Sequence, residues 1–403
     1  MTDWLELLLG SVLGGAALVW AMVLPRRFAV LAALAAAVPG VTALGAVRSV
    51  GAHYQTAEAI GAAVFFLFAG GATGYALSAA ALPGIATRRT PRVCAAVEPH
   101  ARPAVVLLAC TDPERYDPRA VALLGVELVH DGAIDIPLFT TPLVYLAQKA
   151  RYRTFGGHSP GPGLARTVAT AVTAALPGVG VHLAWTYDRP TLAEAVADLS
   201  ACGAERVAIV VLGTVDSTPV ERSLAAVHTD RADTALPALC VAPSLWLESP
   251  LTERLAGRIL ESIGNPRERP TGVVLVCAGQ PPVAGTDRSG AAAEDTYFNQ
   301  RVRMLLAEAG IEDARVRVAW IEWQQPDLTE SVRHLAALGC TRIVVAPSTI
   351  ALPTVSTSLD VRHALQTARL PEGVETTVLD VWGDDPVMVD AVVRSALEAL
   401  RPV

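Results

Sequence analysis

The chain has 403 residues, of which 52% are hydrophobic and only 18% charged, and its formal net charge is -7 at pH 7. Since a domain takes roughly 150 residues, this length predicts two to three domains and excludes one small domain. The positive mean hydropathy of +0.40 excludes a disordered chain.

The apolar excess lies in the first 90 residues. Three stretches there reach the roughly 20 residues that cross a hydrocarbon core: about Leu7–Leu24, Phe28–Val47 and Ala59–Leu82. They predict three transmembrane helices in a membrane segment over residues 1–90, followed by a linker over 91–103. The lipid bilayer is therefore an expected partner.

Basic residues beside these spans predict their orientation. Arg26–Arg27 lie between the first two spans, and Arg88–Arg89 follow the third. Because cytoplasmic loops carry the excess of Lys and Arg, we expect a multi-pass protein of the inner cell membrane, with its N-terminus outside and its large C-terminal part in the cytoplasm. The GxxxG pair Gly10 and Gly14 allows a homo-oligomer, although such pairs also arise by chance in glycine-rich segments.

After residue 90 acidic residues outnumber basic ones. This balance argues against nucleic acid as a partner. The six cysteines are scattered without the spacing of a zinc or iron–sulfur site.

From residue 104 onward, short β-branched runs alternate with amphipathic stretches. Seven runs are typical of buried strands: Val105–Ala109, Val181–Thr186, Val207–Leu212, Gly272–Cys277, Val316–Ile321, Ile343–Pro347 and Thr377–Trp382. Continuous apolar runs separated by helices indicate parallel sheets with both faces covered.

This part of the chain contains an internal repeat with a shift of 136 residues. The copies share a proline, a glutamate that closes a helix capping box and a glycine that ends the helix. In these roles Pro190, Glu194 and Gly203 match Pro326, Glu330 and Gly339. We predict an α/β fold of two similar doubly wound halves, residues 104–265 and 266–403, with a ligand cleft between them at the carboxyl ends of the strands.

Residues 152–160, Tyr-Arg-Thr-Phe-Gly-Gly-His-Ser-Pro, resemble the porphyrin-side loop of ferrochelatases, whose motif is an aromatic residue, two glycines, a small residue and Ser-Pro before a helix. Other pieces follow in the family's order: Asp295, Tyr297 and Gln300 match its acidic-x-Tyr-x-x-Gln helix start, and Trp323 and Pro326 match its Trp-x-x-Pro turn. The resemblance covers about residues 104–400. It implies a chelatase-like fold, metal insertion as the activity, and a porphyrin and a divalent metal such as iron as substrates or ligands.

The family's chemistry uses a histidine after the first strand of the second half and a glutamate about 80 residues later. Here Gly279 and Ser356 occupy those positions, and only Asp360, a second acid of the motif, keeps a carboxylate. A serine hydroxyl cannot accept a proton at pH 7 without its own base. Whether the chain is an active enzyme is therefore open.

Substitute catalytic or metal-binding groups are few, and each has a plainer alternative. His158 follows two glycines that let the backbone approach a ligand, or it is a surface histidine at a helix start. Asp360 and His363 share one helix face as a metal-ligand pair could, or form a solvated turn. Cys277 could bind a soft metal as a thiolate, or is a buried core residue.

The glycine loop supplies the predicted tetrapyrrole-binding residues. Arg151 and Arg153 offer guanidinium groups for propionates, and Tyr152 between them offers an aromatic face for the ring. The resemblance assigns Gly156, Gly157 and Ser159 to the same binding loop.

Three functions remain open. The first is a membrane-anchored ferrochelatase-like enzyme of haem or related tetrapyrrole biosynthesis. The second is an inactive homologue that serves as a tetrapyrrole or metal carrier, sensor or assembly partner. The third is an α/β cleft unrelated to tetrapyrroles.

Overall fold

The computed structural model describes residues 2–25, 28, 57–85, 103–229, 237–265, 268–281 and 289–401. Except for Phe28, the second predicted span lies outside the described residues. The chain forms two compact units: Met1–Pro91 with Arg115–His158, and Arg92–Glu114 with Ser159–Val403. The domain boundaries derived from the sequence stay a prediction.

The first unit is helical in its described residues. Its helices are α1 (Thr2–Val23), α2 (Ala57–Ala81), α3 (Pro118–His130) and α4 (Thr141–Thr154), and a 3₁₀ turn over Leu82–Ile85 follows α2. The helices α1 and α2, which we call the helix pair, pack side by side in parallel: Ser11 lies against Gly70, and Gly15 against Tyr75. A Cβ at Gly15 would lie 2.0 Å from the carbonyl oxygen of Gly71, so glycine is what allows these backbones to touch.

The membrane prediction is tested in part by the helix pair. Among the described residues, Val64–Ile85 is long and apolar enough to cross a membrane by length and composition, and Leu7–Val23 is a shorter apolar helix. Three transmembrane helices are therefore not confirmed.

The second unit contains two four-stranded parallel sheets. The first has β1 (Pro103–Ala109), β2 (Gly180–Trp185), β3 (Arg206–Leu212) and β4 (Ala238–Val241) in the order β2-β1-β3-β4. The second has β5 (Thr271–Cys277), β6 (Val316–Trp320), β7 (Arg342–Pro347) and β8 (Glu375–Val378) in the order β6-β5-β7-β8. The prediction of two parallel-sheet α/β halves is confirmed.

Eight helices lie in the described residues of this unit. They are α5 (Gly161–Ala175), α6 (Leu192–Ala201), α7 (Thr218–Thr229), α8 (Ser249–Ile263), α9 (Ser289–Glu308), α10 (Leu328–Ala337), α11 (Val355–Ala368) and α12 (Pro386–Leu400). One face of each sheet contributes to a shared central core, in which Leu107 and Val210 meet Leu275 and Val344 among side chains of α5, α8, α9 and α12. The outer faces are covered separately, the first sheet by α6 and α7 and the second by α10 and α11.

The last helix of each half packs on the sheet of the other half. Helix α12 packs on β3 and β4, and α8 contacts β7. Arg206, at the start of β3, donates a hydrogen bond to the carbonyl of Leu400 at 3.1 Å. Arg342, at the start of β7, donates to the carbonyl of Ile263. Since the two arginines are repeat equivalents, the duplication makes the same exchange in both directions.

The helix caps predicted from the repeat are present. The Thr191 side chain accepts from the Glu194 N–H, and Glu194 accepts from the Thr191 N–H in return. In the second copy Asp327 accepts from the Glu330 N–H. The Asp327 N–H donates to Gln325 instead, so the box is closed only in the first copy.

Candidate functional site

The position that the resemblance assigns to the family histidine is closed to any side chain in this backbone. Gly279 follows β5 with a φ of +88°, and a Cβ there would lie 2.0 Å from the carbonyl oxygen of Glu322. Both the positive φ and the contact with a backbone atom exclude histidine without rearrangement. Gly279, predicted as a catalytic position, therefore supplies no group that can take a proton.

Ser356, at the position that the resemblance assigns to the family glutamate, is the second residue of α11 and is partly buried. The first N–H of this helix, that of Val355, donates to the Asp112 carboxylate at 2.6 Å. Thr354 caps the same helix by accepting from the Thr357 N–H at 2.9 Å. A carboxylate thus lies next to Ser356, but it comes from the loop after β1 and caps a helix.

The two halves touch directly beside this cap. The Thr111 hydroxyl donates to the carbonyl of Pro353 at 2.8 Å. A Cβ at Gly161 would lie 1.9 Å from the Thr111 oxygen and 2.3 Å from the Pro353 oxygen. A planar macrocycle cannot occupy this part of the predicted cleft while these contacts exist.

Cys277 ends β5 and is fully buried. Its sulfur accepts from the Asn299 amide at 3.1 Å and lies 3.3 Å from the Ser348 hydroxyl. Burial, aided by the negative charge of Asp295, raises the pKa of the Cys277 thiol to about 12. The thiol is therefore protonated at pH 7 when no metal is bound, and the metal role of Cys277 stays a prediction.

Asp295 lies in the same buried polar cluster, at the start of α9. It is 5% exposed and accepts a hydrogen bond from the Thr349 hydroxyl at 2.6 Å. Burial raises the pKa of Asp295, while the hydrogen bond from Thr349 opposes the rise. This acid of the family motif is held by the loop after β7.

The neighbouring Glu294 faces the first half. It is 8% exposed, and its carboxylate accepts from the Val215 N–H at 3.4 Å in the loop after β3. Burial raises the pKa of Glu294 to about 7, a hydrogen bond from Ser244 opposes this, and the negative charges of Asp216 and Asp295 add to it. A carboxyl group with a pKa near 7 can act as a general acid or base at neutral pH.

Sequence analysis missed Glu294 because its raised pKa depends on burial between two halves that are distant in the chain. The available signal was a pair of adjacent acids, Glu294 and Asp295, one turn before the apolar Phe298. Such a pair on a helix is more often solvated than buried.

An aromatic cluster lies below these carboxyl groups. Trp246 and Trp382, which are repeat equivalents, lie with ring centroids 6.3 Å apart, and Phe298 of α9 is 5.5 Å from the first and 6.2 Å from the second. The Trp246 indole donates to the carbonyl of Gly213, and the Trp382 indole to that of Ser348. The duplication thus places an equivalent tryptophan at the carboxyl end of a strand in each sheet, and the two tryptophans meet in one apolar cluster.

Asp360 and His363 lie on α11 at the predicted spacing of one turn. Asp360 is partly buried, whereas His363 is exposed, with its Nε2 3.4 Å from the Thr367 hydroxyl. In the described part of the chain, no group of three or more His, Cys, Asp or Glu side chains could hold a metal ion. The metal role of this pair stays a prediction.

The predicted binding loop begins at the end of α4, in the first unit. The ring of Tyr152 is only 3% exposed and packs edge-to-face on Tyr116, with centroids 6.0 Å apart. It offers no face to a porphyrin, so that part of the prediction does not fit. Arg153 is exposed and Arg151 partly buried.

The two glycines end α4. Gly156 and Gly157 have φ values of +69° and +92°, and the Gly157 N–H donates to the Tyr152 carbonyl at 2.9 Å. His158 is exposed and forms an antiparallel bridge with Arg115. Because His158 belongs to the first unit and Ser356 and Asp360 to the second, a site shared by them stays a prediction.

Ser159 begins the longer segment of the second unit. Its N–H donates to the carbonyl of Glu114 at 2.8 Å, and its buried hydroxyl has no hydrogen-bond partner among the described residues. Ser159 therefore keeps an unused polar atom, in agreement with a binding role that stays a prediction.

Comparisons with known proteins agree on one family. The family model Ferrochelatase matches residues 102–401. The coproporphyrin III ferrochelatase of Frankia alni is 28% identical over 279 residues, which cover 62% of this chain and 70% of that protein.

Two solved structures of SirB from Bacillus subtilis are also similar. The one with Fe3+ is 12% identical with a TM-score of 0.46, covering 74% of this chain and 95% of that chain. The sirohydrochlorin chelatase SirB from subspecies spizizenii in complex with cobalt is 9% identical with a TM-score of 0.45, at the same coverage. Because the family model extends from the first strand to the last helix, the chain belongs to the ferrochelatase family.

Proposed function

We propose that this family member is held at a membrane and binds a tetrapyrrole without inserting metal through the family's histidine–glutamate pair. Its role is that of a tetrapyrrole carrier, sensor or assembly partner. The observation that carries the proposal is Gly279, where both φ and the Glu322 carbonyl oxygen leave no room for a side chain. Family membership argues against the alternative of a cleft unrelated to tetrapyrroles.

Metal insertion requires that pyrrole nitrogens lose their protons to a base. General-base catalysis contributes about 10²–10⁴ in rate. Gly279 has no side chain, and the hydroxyl of Ser356 is not a base at pH 7. The loss of both groups supports binding over turnover.

Membrane attachment is part of the proposal. It is supported by the apolar helix pair of α1 and α2, with Val64–Ile85 as the candidate span. The arginines beside the apolar stretches support an inner-membrane protein with its two-sheet unit in the cytoplasm.

A spectroscopic titration tests the proposal. The full-length protein in detergent is titrated with coproporphyrin III, and zinc or ferrous iron is then added without oxygen. We expect a saturable shift of the Soret band and no metal insertion above the protein-free rate. Insertion at about 1 per second, an ordinary enzymatic rate, would overturn the non-inserting role, and an unshifted band would overturn tetrapyrrole binding.

Glu294 favours a second candidate, a chelatase that uses a different base. Its carboxyl group is buried at the strand ends, and its pKa of about 7 suits proton transfer. If insertion is observed, Glu294→Gln should lower its rate by about 10²-fold or more. The exposed Glu372→Gln is the matched control. Equal rates for both variants would exclude Glu294 as the base.

A further inference from the structure

The segment between β1 and α5 has an unusually apolar surface. We call residues 115–158 the insert; they contain α3 and α4 and belong to the first unit. Eight large apolar side chains between Leu124 and Leu146 are exposed, with Phe139 the most exposed at 60%. The two-sheet unit exposes the same number over about five times as many described residues. A surface of this kind marks a membrane or protein contact.

The insert is fixed to the end of α1 by buried polar contacts. The Lys149 ammonium, on a side chain only 6% exposed, donates to the carbonyls of Ala21 at 3.2 Å and Leu24 at 2.5 Å. The Tyr116 hydroxyl donates to the carbonyl of Val23 at 2.6 Å. The last carbonyls of a helix have no partner within it. These donors therefore satisfy the terminal carbonyls of α1 and hold the insert to the helix pair.

A second contact joins the insert to α2. The Tyr75 hydroxyl donates to the carbonyl of Phe139 at 2.8 Å, and the two rings stack with centroids 6.2 Å apart. Helix α2 exposes its own large apolar side chains, among them Phe68 at 72%. The apolar surface of the insert is therefore continuous with that of the helix pair.

We propose that the insert lies in the membrane–water interface, with the exposed apolar side chains of residues 124–146 in contact with lipid. The inference rests on the proposed membrane attachment of the helix pair. Helices in such an interface bury an apolar face about 5–10 Å into the boundary between headgroups and acyl chains. A protein partner would also cover an apolar face, but the hydrogen bonds that join the insert to the helix pair favour lipid.

The charges of the insert specify the lipid. It carries five basic side chains, Arg115, Arg119, Lys149, Arg151 and Arg153, and four acidic ones, Asp117, Glu127, Asp131 and Asp135. Because the two signs nearly balance, attraction to anionic headgroups contributes little. Apolar contact is the main term, so uncharged phosphatidylcholine suffices.

Tryptophan reporters and brominated lipids test the inference in the full chain. The reporter on the insert is Leu143→Trp, at an exposed position of α4, and Leu146→Trp one turn later replaces it if the first variant does not fold. Phe68→Trp reports on the helix pair, and Leu338→Trp, 44% exposed on the two-sheet unit, is the matched control. Each protein is placed in phosphatidylcholine vesicles with and without bromine on the acyl chains.

The fluorescence of the new tryptophan in the insert and in the helix pair should be quenched at least twofold by brominated lipid, and that of the control should not change. Quenching of Phe68→Trp without quenching of Leu143→Trp would overturn the interfacial position of the insert, while membrane attachment of the helix pair would stand. No quenching at either position would overturn membrane attachment itself. Blue-shifted but unquenched emission at the insert would overturn the lipid contact in favour of a second copy or another protein.

Discussion

In the first half of the two-sheet unit, Trp246 donates its indole N–H to the carbonyl after β3; in the second half, Trp382 does the same after β7. The segments that directly follow the neighbouring strands β1 and β5 differ. The loop after β1 supplies Asp112, which caps a helix of the other half, whereas the first residues after β5, Ala278 to Pro281, include Gly279 and no carboxylate. Residues that hold the halves together have been kept in both copies, and residues at the mouths have diverged.

Two adjacent carboxyl groups of α9 have partners in different halves. Asp295 accepts from the Thr349 hydroxyl of the second half, while Glu294 accepts from the Val215 N–H at 3.4 Å and from Ser244, both in the first half. Burial raises the pKa of both groups, and the hydrogen bond from Thr349 opposes the rise at Asp295. The pKa of Glu294, about 7, suits this group to proton exchange near neutral pH.

Removing the tryptophans that both halves have kept should have the largest effect on stability. Trp246→Ala and Trp382→Ala should each lower the free energy of unfolding by about 3–5 kcal/mol, because each removes a buried aromatic ring from one cluster. The double variant should lose less than the sum, since the rings contact each other. Urea unfolding of the full-length protein in detergent, followed by circular dichroism, measures this. Strict additivity would show that the two tryptophans act independently.

The closed histidine position should give the next effect. Gly279→Ala should lower the free energy of unfolding by about 3–4 kcal/mol, through positive φ and the clash with the Glu322 carbonyl. Gly203→Ala has a similar φ of +83° in open space, so it should lose only about 1–2 kcal/mol. The same urea measurement compares them. Equal losses would mean that the backbone after β5 relaxes easily, and a histidine could then be restored there.

Glu294→Gln should sharpen the comparison by its pH dependence. The folded-state pKa of Glu294, about 7, lies above its ordinary value of 4.5. The stability it contributes is thus fully present below pH 4.5 and lost as pH rises through about 7, a change of about 3 kcal/mol. Glutamine mimics the protonated form and should remove this slope. Asp216→Asn should shift the slope to lower pH, because it removes a neighbouring negative charge. An unchanged slope in Glu294→Gln would assign it to another group.

The repeat made much of the two-sheet unit predictable. Caps such as Thr191 and Asp327 and the glycines that end their helices depend on neighbouring residues alone, so local sequence reveals them. Strand β4 was missed because its four residues give too short a pattern. The strand predicted over Thr377–Trp382 ends at Val378, because the chain leaves the sheet to bury Trp382 between the halves.

The site was less predictable because its properties arise between distant segments. The sequence shows that Gly279 replaces a histidine, but not that a carbonyl 43 residues later occupies the space. Tyr152 has the composition of a ligand-stacking residue, yet it is buried against Tyr116 within its own unit. No pattern in the local sequence indicates that the insert joins the helix pair through the single lysine of the chain, Lys149.

The exchange of helices between the halves has a consequence for biosynthesis. Domains usually fold in order as the chain leaves the ribosome. Here the sheet of β1–β4 lacks the cover of α12 until Leu400 has been synthesised, because that helix packs on β3 and β4. Until then the nascent first half has an open apolar face, which α12 does not cover during translation of about 160 further residues.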